Sequence, residues 1–205
     1  MDTNWSPLEI TQIQSRFAVI SAPWWIAGGR AIDLFLGWET RAHADIDVEM
    51  FRSDTGTLFD VFPDWELKLM SGGELTPFRR GKDLEPEVFG VWGRPSPDDA
   101  WSIEVMLADG DMGEWKFRRD NSITLSGSHL LRRTDGGVPY CTPEVQLLYK
   151  SKMARAKDDV DFTRCLHRLT SSQRQWLWDA IARSEPDHPW IPALRAANIG
   201  SMNEA

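Results

Sequence analysis

One stretch constrains this chain more than any other. An apolar run, Trp24-Trp25-Ile26-Ala27, ends in the pair Gly28-Gly29, and a second apolar run carries Asp45-Ile46-Asp47-Val48-Glu49-Met50. In a β-strand, residues i and i+2 point to the same face. Asp45 and Asp47 therefore project side by side, with Ile46 turned to the opposite face. Two carboxylates that close repel each other and resist ionising together. A fold keeps such a pair when a divalent cation sits between them. Mg2+ suits the arrangement, because it takes one or two carboxylates and completes its shell with water and substrate phosphates.

The Gly pair supplies the other half. Without Cβ atoms, Gly28 and Gly29 allow a tight turn and close approach of backbone N–H groups to an anion. Arg30-Ala31-Ile32-Asp33-Leu34-Phe35-Leu36 then has helical spacing and stops at Gly37. A strand, a Gly turn and a helix N-terminus form an anion site by geometry and dipole. A phosphate cradle thus faces a metal-binding carboxylate pair.

The block Gly28-Gly29-Arg30-Ala31-Ile32-Asp33, Leu36-Gly37, Thr40-Arg41-Ala42-His43-Ala44-Asp45-Ile46-Asp47 resembles the signature of the DNA polymerase-β-like nucleotidyltransferase superfamily. It is most similar to that of the aminoglycoside 2″-adenylyltransferase and lincosamide nucleotidyltransferase group. Val138-Pro139-Tyr140-Cys141-Thr142-Pro143-Glu144-Val145-Gln146-Leu147-Leu148 is similar to the group's entry into its C-terminal helices. Arg30 departs from the pattern, which has Trp or Ser there. It would add a phosphate contact or reshape the pocket. The resemblance implies an α+β fold: a mixed β-sheet flanked by helices, then a small C-terminal helical domain. The expected division is a nucleotidyltransferase core over 1–141 and a helical domain over 142–205.

Composition narrows the class. The chain has 205 residues, 23 basic and 31 acidic, for a net charge of −8. An acidic chain is a poor candidate for non-specific binding to long nucleic acid. Cys141 and Cys165 are too few for a disulfide framework, which points to a reducing cytoplasm, and each is expected to pack as a small hydrophobe. No apolar run approaches the roughly 20 residues of a membrane span, and no secretory leader pattern is visible. Of eleven tryptophans, Trp24, Trp25 and Trp101 read as core; Trp38, Trp65, Trp92 and Trp115 could line a groove that stacks on a base or sugar.

Along the chain, Ser6 reads as the cap and Pro7 as the first residue of a helix. Strands are expected over 24–27, 45–51, 65–70, 87–93 and 100–107, with further strands over 115–125 and 129–133. Residues 30–36 and 55–62 read as short helices. Ser71–Pro86 reads as a loop. From Thr142, an N-cap before Pro143, the pattern is helical to the end, with Lys150, Lys152, Arg155 and Lys157 in the first helix.

Glu104 stands in Trp101-Ser102-Ile103-Glu104-Val105-Met106-Leu107, a run otherwise fit for burial. A lone acid there needs a partner. By resemblance, the group carries its third acid at this point, as a metal ligand or as the base for the attacking hydroxyl; Asp109 and Asp111 are rivals. Glu49 reads as a solvated residue. Asp33 would hold the Gly turn by hydrogen bonds, His43 is a loop histidine, and Arg41 would pair with Asp45 or meet a phosphate. Relatives have a Lys on the first C-terminal helix that reaches the triphosphate, and Lys150 matches it. No His-Cys spacing suggests zinc.

The leading expectation is an enzyme moving a nucleoside monophosphate, AMP first, from a nucleoside triphosphate such as ATP to a hydroxyl. Mg2+ would be held by Asp45 and Asp47, with a second Mg2+ shared with Glu104. Gly28, Gly29, Arg30, Arg41 and Lys150 would hold the nucleotide. The resemblance implies an aminoglycoside- or lincosamide-type acceptor and a role in antibiotic resistance. An acidic pocket beside the Asp pair would favour a polycationic aminoglycoside, and a basic groove would favour RNA. The alternatives are nucleotidylation of a protein or RNA, and a nucleotide-binding regulator without turnover.

Overall fold

The computed structural model describes residues 4–43 and 45–202; Ala44, within the quoted block, lies outside them. The elements run in the order α1 (Ile10–Phe17), β1 (Trp24–Ile26), α2 (Gly28–Leu36), β2 (Asp47–Phe51), a 3-10 turn (Arg52–Thr57), α3 (Leu58–Val61), β3 (Glu66–Ser71), β4 (Glu74–Pro77), β5 (Val88–Arg94) and β6 (Ile103–Gly110). There follow β7 (Trp115–Phe117), β8 (Asp120–Leu125), α4 (Gly127–Leu130), β9 (Leu131–Arg133) and β10 (Pro139–Cys141). The helices α5 (Pro143–Ser151), α6 (Ala156–Leu166), α7 (Ser171–Ser184) and α8 (Ile191–Met202) complete the chain. Among the described residues no helix is long and apolar enough to cross a membrane.

The result is the expected α+β architecture. A mixed sheet runs β4-β3-β5-β6-β2-β1-β10-β9, with the β7–β8 hairpin attached to β6. Its centre is set by two parallel pairings, β2 with β6 and β1 with β10. The first places Asp47 opposite Glu104 and Glu49 opposite Met106. The second brings Ile26 beside Tyr140, so the strand before the Gly turn is held by the last strand of the sheet. Ile46, Val48 and Met50 are buried as the period-2 alternation requires. Phe17 of α1 packs on Trp24 and Phe62, ring centroids 4.8 and 5.9 Å apart. Trp25, Trp101 and both cysteines are buried, and the cysteines are unpaired.

Several local expectations are corrected. Residues 6–8 do not open α1. Ser6 and Leu8 donate backbone bonds to Trp101 and Ser102, so this segment is extended along the sheet, and Glu9 with Gln12 forms the capping box instead. Ser71–Pro86 is not all loop: Gly72 and Gly73, both at positive φ, close a hairpin between β3 and β4. Residues 115–125 form two strands turned at Arg118-Arg119. His129 falls in the helical turn α4, before β9. The basic run 150–157 is not one helix. It breaks at Lys152, and Met153 takes φ +61°.

Candidate active site

The Gly turn and the acids are built against each other. Gly28 sits at φ +61°, where L side chains are strained, and a Cβ there would fall on the Asp47 carboxylate. A Cβ at Gly29 would lie 2.5 Å from Arg41 Nη2 and His43 Cε1. Two hydrogen atoms at these positions are what lets α2 start beneath the carboxylates. Gly28 and Gly29 are thus the first turn of α2, with Ala27 as N-cap, not a loop ahead of it. The N–H of Gly28 donates to Gln146 Oε1 of α5 at 2.7 Å. Those of Gly29 and Arg30 have no intrahelical acceptor, as in any helical first turn.

Asp45 precedes β2 and is exposed; Asp47 opens the strand and is half-buried. Burial pushes the Asp47 carboxyl up to about 7, and the Asp45 and Glu104 charges add to the effect, while Lys150 and Lys157 oppose it. A carboxylate held against its own ionisation by two neighbouring acids fits a divalent cation. Among the described residues, however, no three Asp, Glu, His or Cys side chains form a ready-made metal cage. Glu104 is mostly buried between β2 and β5, opposite both Asp47 and Trp92. Burial raises its carboxyl, the nearby Trp92 indole lowers it in part, and the Asp45 charge raises it.

The rivals for the third acid are occupied elsewhere. Asp109 stands at the far end of β6, paired with Arg52 Nε at 3.0 Å. Asp111 caps a turn through the N–H groups of Gly113 and Glu114. Glu49 is not solvated but 3% exposed. It accepts from Trp25 Nε1 at 2.8 Å, and burial lifts its carboxyl to about 7. Asp33 accepts from the N–H and hydroxyl of Thr40 and lies 2.6 Å from His43 Nε2, tying α2 to the loop that leads to Asp45. Burial lowers the His43 pKa, with Asp33 opposing.

A cavity of about 570 Å3 opens over this face, within the range of small-molecule sites. Its floor is Asp45, Asp47, Glu49, Met106 and Leu107, with Gly28, Gly29 and Arg41 at one end. Tyr149, Lys150, Lys152, Met153, Arg155, Lys157 and Asp158 of α5, α6 and their link wall it, and Arg118 and Arg119 stand in its lining too. Lys150 lies in the wall but is ion-paired to Asp158 and Asp161 at 3.0 and 2.9 Å. Arg30 is turned away, 3.4 Å from Glu39, and lines two other surface depressions. None of Trp38, Trp65, Trp92 and Trp115 lines the cavity. Trp92 and Trp115 are core, and Arg168 and Arg16 lie over Trp38 and Trp65.

Sequence reasoning passed over Gln146, Lys157, Arg118 and Arg119. Gln146 stood inside the second quoted motif, with an amide where the helix face is otherwise apolar. Lys157 was visible only as one of a basic run. Nothing local marks Arg118-Arg119, whose place depends on a hairpin folding back along β6.

The family model for aminoglycoside-2″-adenylyltransferases matches residues 9–69, which contain the Gly turn and both acids. No curated relative matches the chain by sequence. Solved structures share the fold. The lincosamide antibiotic adenylyltransferase LnuA, in its lincomycin-bound form, is 16% identical with a TM-score of 0.53, covering 78% of this chain and 96% of that one. ANT(2″)-Ia in complex with adenylyl-2″-tobramycin is 16% identical with a TM-score of 0.54, covering 85% and 96%. Its solution structure gives 0.53 over 95% and 94%.

Proposed function

We propose that this chain, a nucleotidyltransferase enzyme of a family close to the aminoglycoside and lincosamide adenylyltransferases, moves AMP from ATP to a hydroxyl of a small molecule. The observation that carries the reading is the fit of Gly28 beneath the Asp47 carboxylate, which joins a helix N-terminus to an acid pair in one cavity. The residues fit Mg2+, and Asp45 and Asp47 would hold it. When bound, it supplies charge neutralisation at the triphosphate. Two ions, the second shared with Glu104, are the form expected.

The residues of the chain divide the remaining work. The N–H groups of Gly29 and Arg30, at the positive end of α2, donate to phosphate oxygens. Gln146 fixes the turn by occupying the Gly28 N–H. Lys157 has no acid partner within ion-pair distance among the described residues and supplies positive charge toward Asp47, whereas Lys150 shapes the wall through its two carboxylates. Glu104, opposite Asp47 in the sheet but outside the cavity lining, is assigned the proton of the acceptor hydroxyl. The hydroxyl oxygen bonds to the α-phosphorus, the bond from that phosphorus to the bridging oxygen breaks, and pyrophosphate leaves. Like other phosphoryl chemistry, this asks the protein for positioning and electrostatics.

The matched proteins carry lincomycin and an adenylylated tobramycin, so hydroxylated antibiotics are the first acceptors to try. Incubation with Mg2+, ATP and an antibiotic panel should give an acceptor heavier by one AMP, with release of pyrophosphate. Mg2+-dependent ATP binding without pyrophosphate release from any acceptor would support the regulator instead.

A further inference from the structure

The cavity is basic although the chain is acidic, which by charge alone favours RNA or another anionic acceptor over a polycationic aminoglycoside. Seven of its lining residues are Arg or Lys and four are Asp or Glu, in a molecule of net charge −8. The four acids are committed. Asp45 and Asp47 are the residues that the proposed function assigns to Mg2+, Glu49 holds the Trp25 indole, and Asp158 holds Lys150 and Arg155. No lining carboxylate is left to receive the ammonium groups of a polycation.

The cations come from two parts of the fold. Lys150, Lys152, Arg155 and Lys157 belong to α5, α6 and their link. Arg118 comes with Arg119 from the β7–β8 hairpin. It stands in the two-residue turn between β7 and β8. Arg118 Nη1 is buried with no hydrogen-bond partner, and its guanidinium lies 4.8 Å from the Phe89 ring. Arg119 donates from Nη1 to the Tyr149 carbonyl at 3.0 Å, which leaves the rest of its fork free of a carboxylate. Two guanidinium groups on consecutive residues lining one cavity, one with a buried donor unpaired, suit the oxygens of a phosphate or carboxylate. A buried donor of this kind is costly unless a ligand satisfies it.

We propose that the Arg118-Arg119 turn is a second anion site of the cavity, separate from the Gly28-Gly29 turn, and that it takes an acidic group carried by the hydroxyl acceptor. The inference rests on the nucleotidyl-transfer reading and narrows its acceptor class. It sets this chain apart from enzymes whose acceptors are polycations.

Inorganic phosphate serves as the probe, titrated into the protein already saturated with Mg2+ and a non-hydrolysable ATP analogue, with the backbone amide signals of residues 117–120 followed by NMR. Those signals should move saturably. Arg118→Gln with Arg119→Gln should weaken phosphate binding at least tenfold without changing analogue affinity, and Arg118→Lys, which keeps the charge and the fold, should retain part of it. Tobramycin in place of phosphate should leave the signals still. The proposal is overturned if phosphate acts only before the analogue is added, since the arginines then hold the nucleotide's own phosphates. It is equally overturned if phosphate leaves the signals unmoved, or if tobramycin saturates the turn as well as phosphate does. Failure of the analogue to bind with Mg2+, while phosphate still moves the turn, would count against nucleotidyl transfer and not against the anion site.

Discussion

Burial, with the Asp45 and Glu104 charges, pushes the Asp47 carboxyl up to about 7. A carboxyl whose pKa is higher folded than unfolded binds its proton more tightly in the native state. Its contribution therefore weakens the fold as pH rises from about 4 to about 7, and is constant above that. Asp47→Asn should flatten part of this fall in urea denaturation curves, leaving the part due to Glu49, which is raised to about 7 as well. The same variant should abolish nucleotidyl transfer, because an amide is a poor Mg2+ ligand. Normal turnover would remove Asp47 from the metal site. Wild-type Mg2+ affinity should climb with pH up to about 7 and then level, as the proton and the cation compete. Glu104→Gln should lower kcat and kcat/KM together by ~10²–10⁴-fold while sparing nucleotide binding. Asp109→Asn should mainly loosen the Arg52 pair at the far end of β6; a dead Asp109→Asn beside a mild Glu104→Gln would reverse the assignment. The place of Asp47 was legible because strand alternation is a two-residue rule, whereas Asp45, expected in the same strand, lies just before it. Glu49 was misread by the same rule, since alternation gives the face and not whether a helix covers it.

Among the elements, those with a long pattern were readable and those held by partners were not. β10 is three residues, Pro139–Cys141, too short for any period to register, yet it flanks the strand before the Gly turn. The break between α5 and α6 was hidden because charged residues continue across it; the left-handed Met153 is a non-glycine residue and sends no signal. The β3–β4 hairpin did carry one, since Gly-Gly between strand-like runs is a turn preference in its own right. α5 matters to the site through one contact, Gln146 Oε1 on the Gly28 N–H. Gln146→Leu should keep helical propensity and volume while stranding that donor. The expected loss is about 1–3 kcal/mol in urea unfolding, with a raised KM for ATP. Unchanged stability and KM would mean that water replaces the amide without cost.

At the scale of the whole molecule, we propose the boundary near residue 141 as a change of architecture, strands before it and helices after. It does not separate a complete site from an accessory piece. Residues 1–141 alone lack Gln146, Tyr149 and every Lys in the cavity wall. That fragment should show no thermal shift with Mg2+ and ATP. The full chain should gain about 2.7 kcal/mol at a hundredfold excess over Kd, and an equal shift in both would show the helices to be dispensable. The parallel pairing of β1 with β10 has a further consequence, for the order in which the chain is made. Ile26 leaves the ribosome early and waits for Tyr140; Gly28 waits for Gln146. The paired aspartates are therefore synthesised long before Lys150 and Lys157, which oppose the rise at Asp47, and before the helices that wall the cavity. During translation they are ordinary solvated acids on an unfinished sheet, and the cavity wall that encloses them is complete only when the last third of the chain arrives.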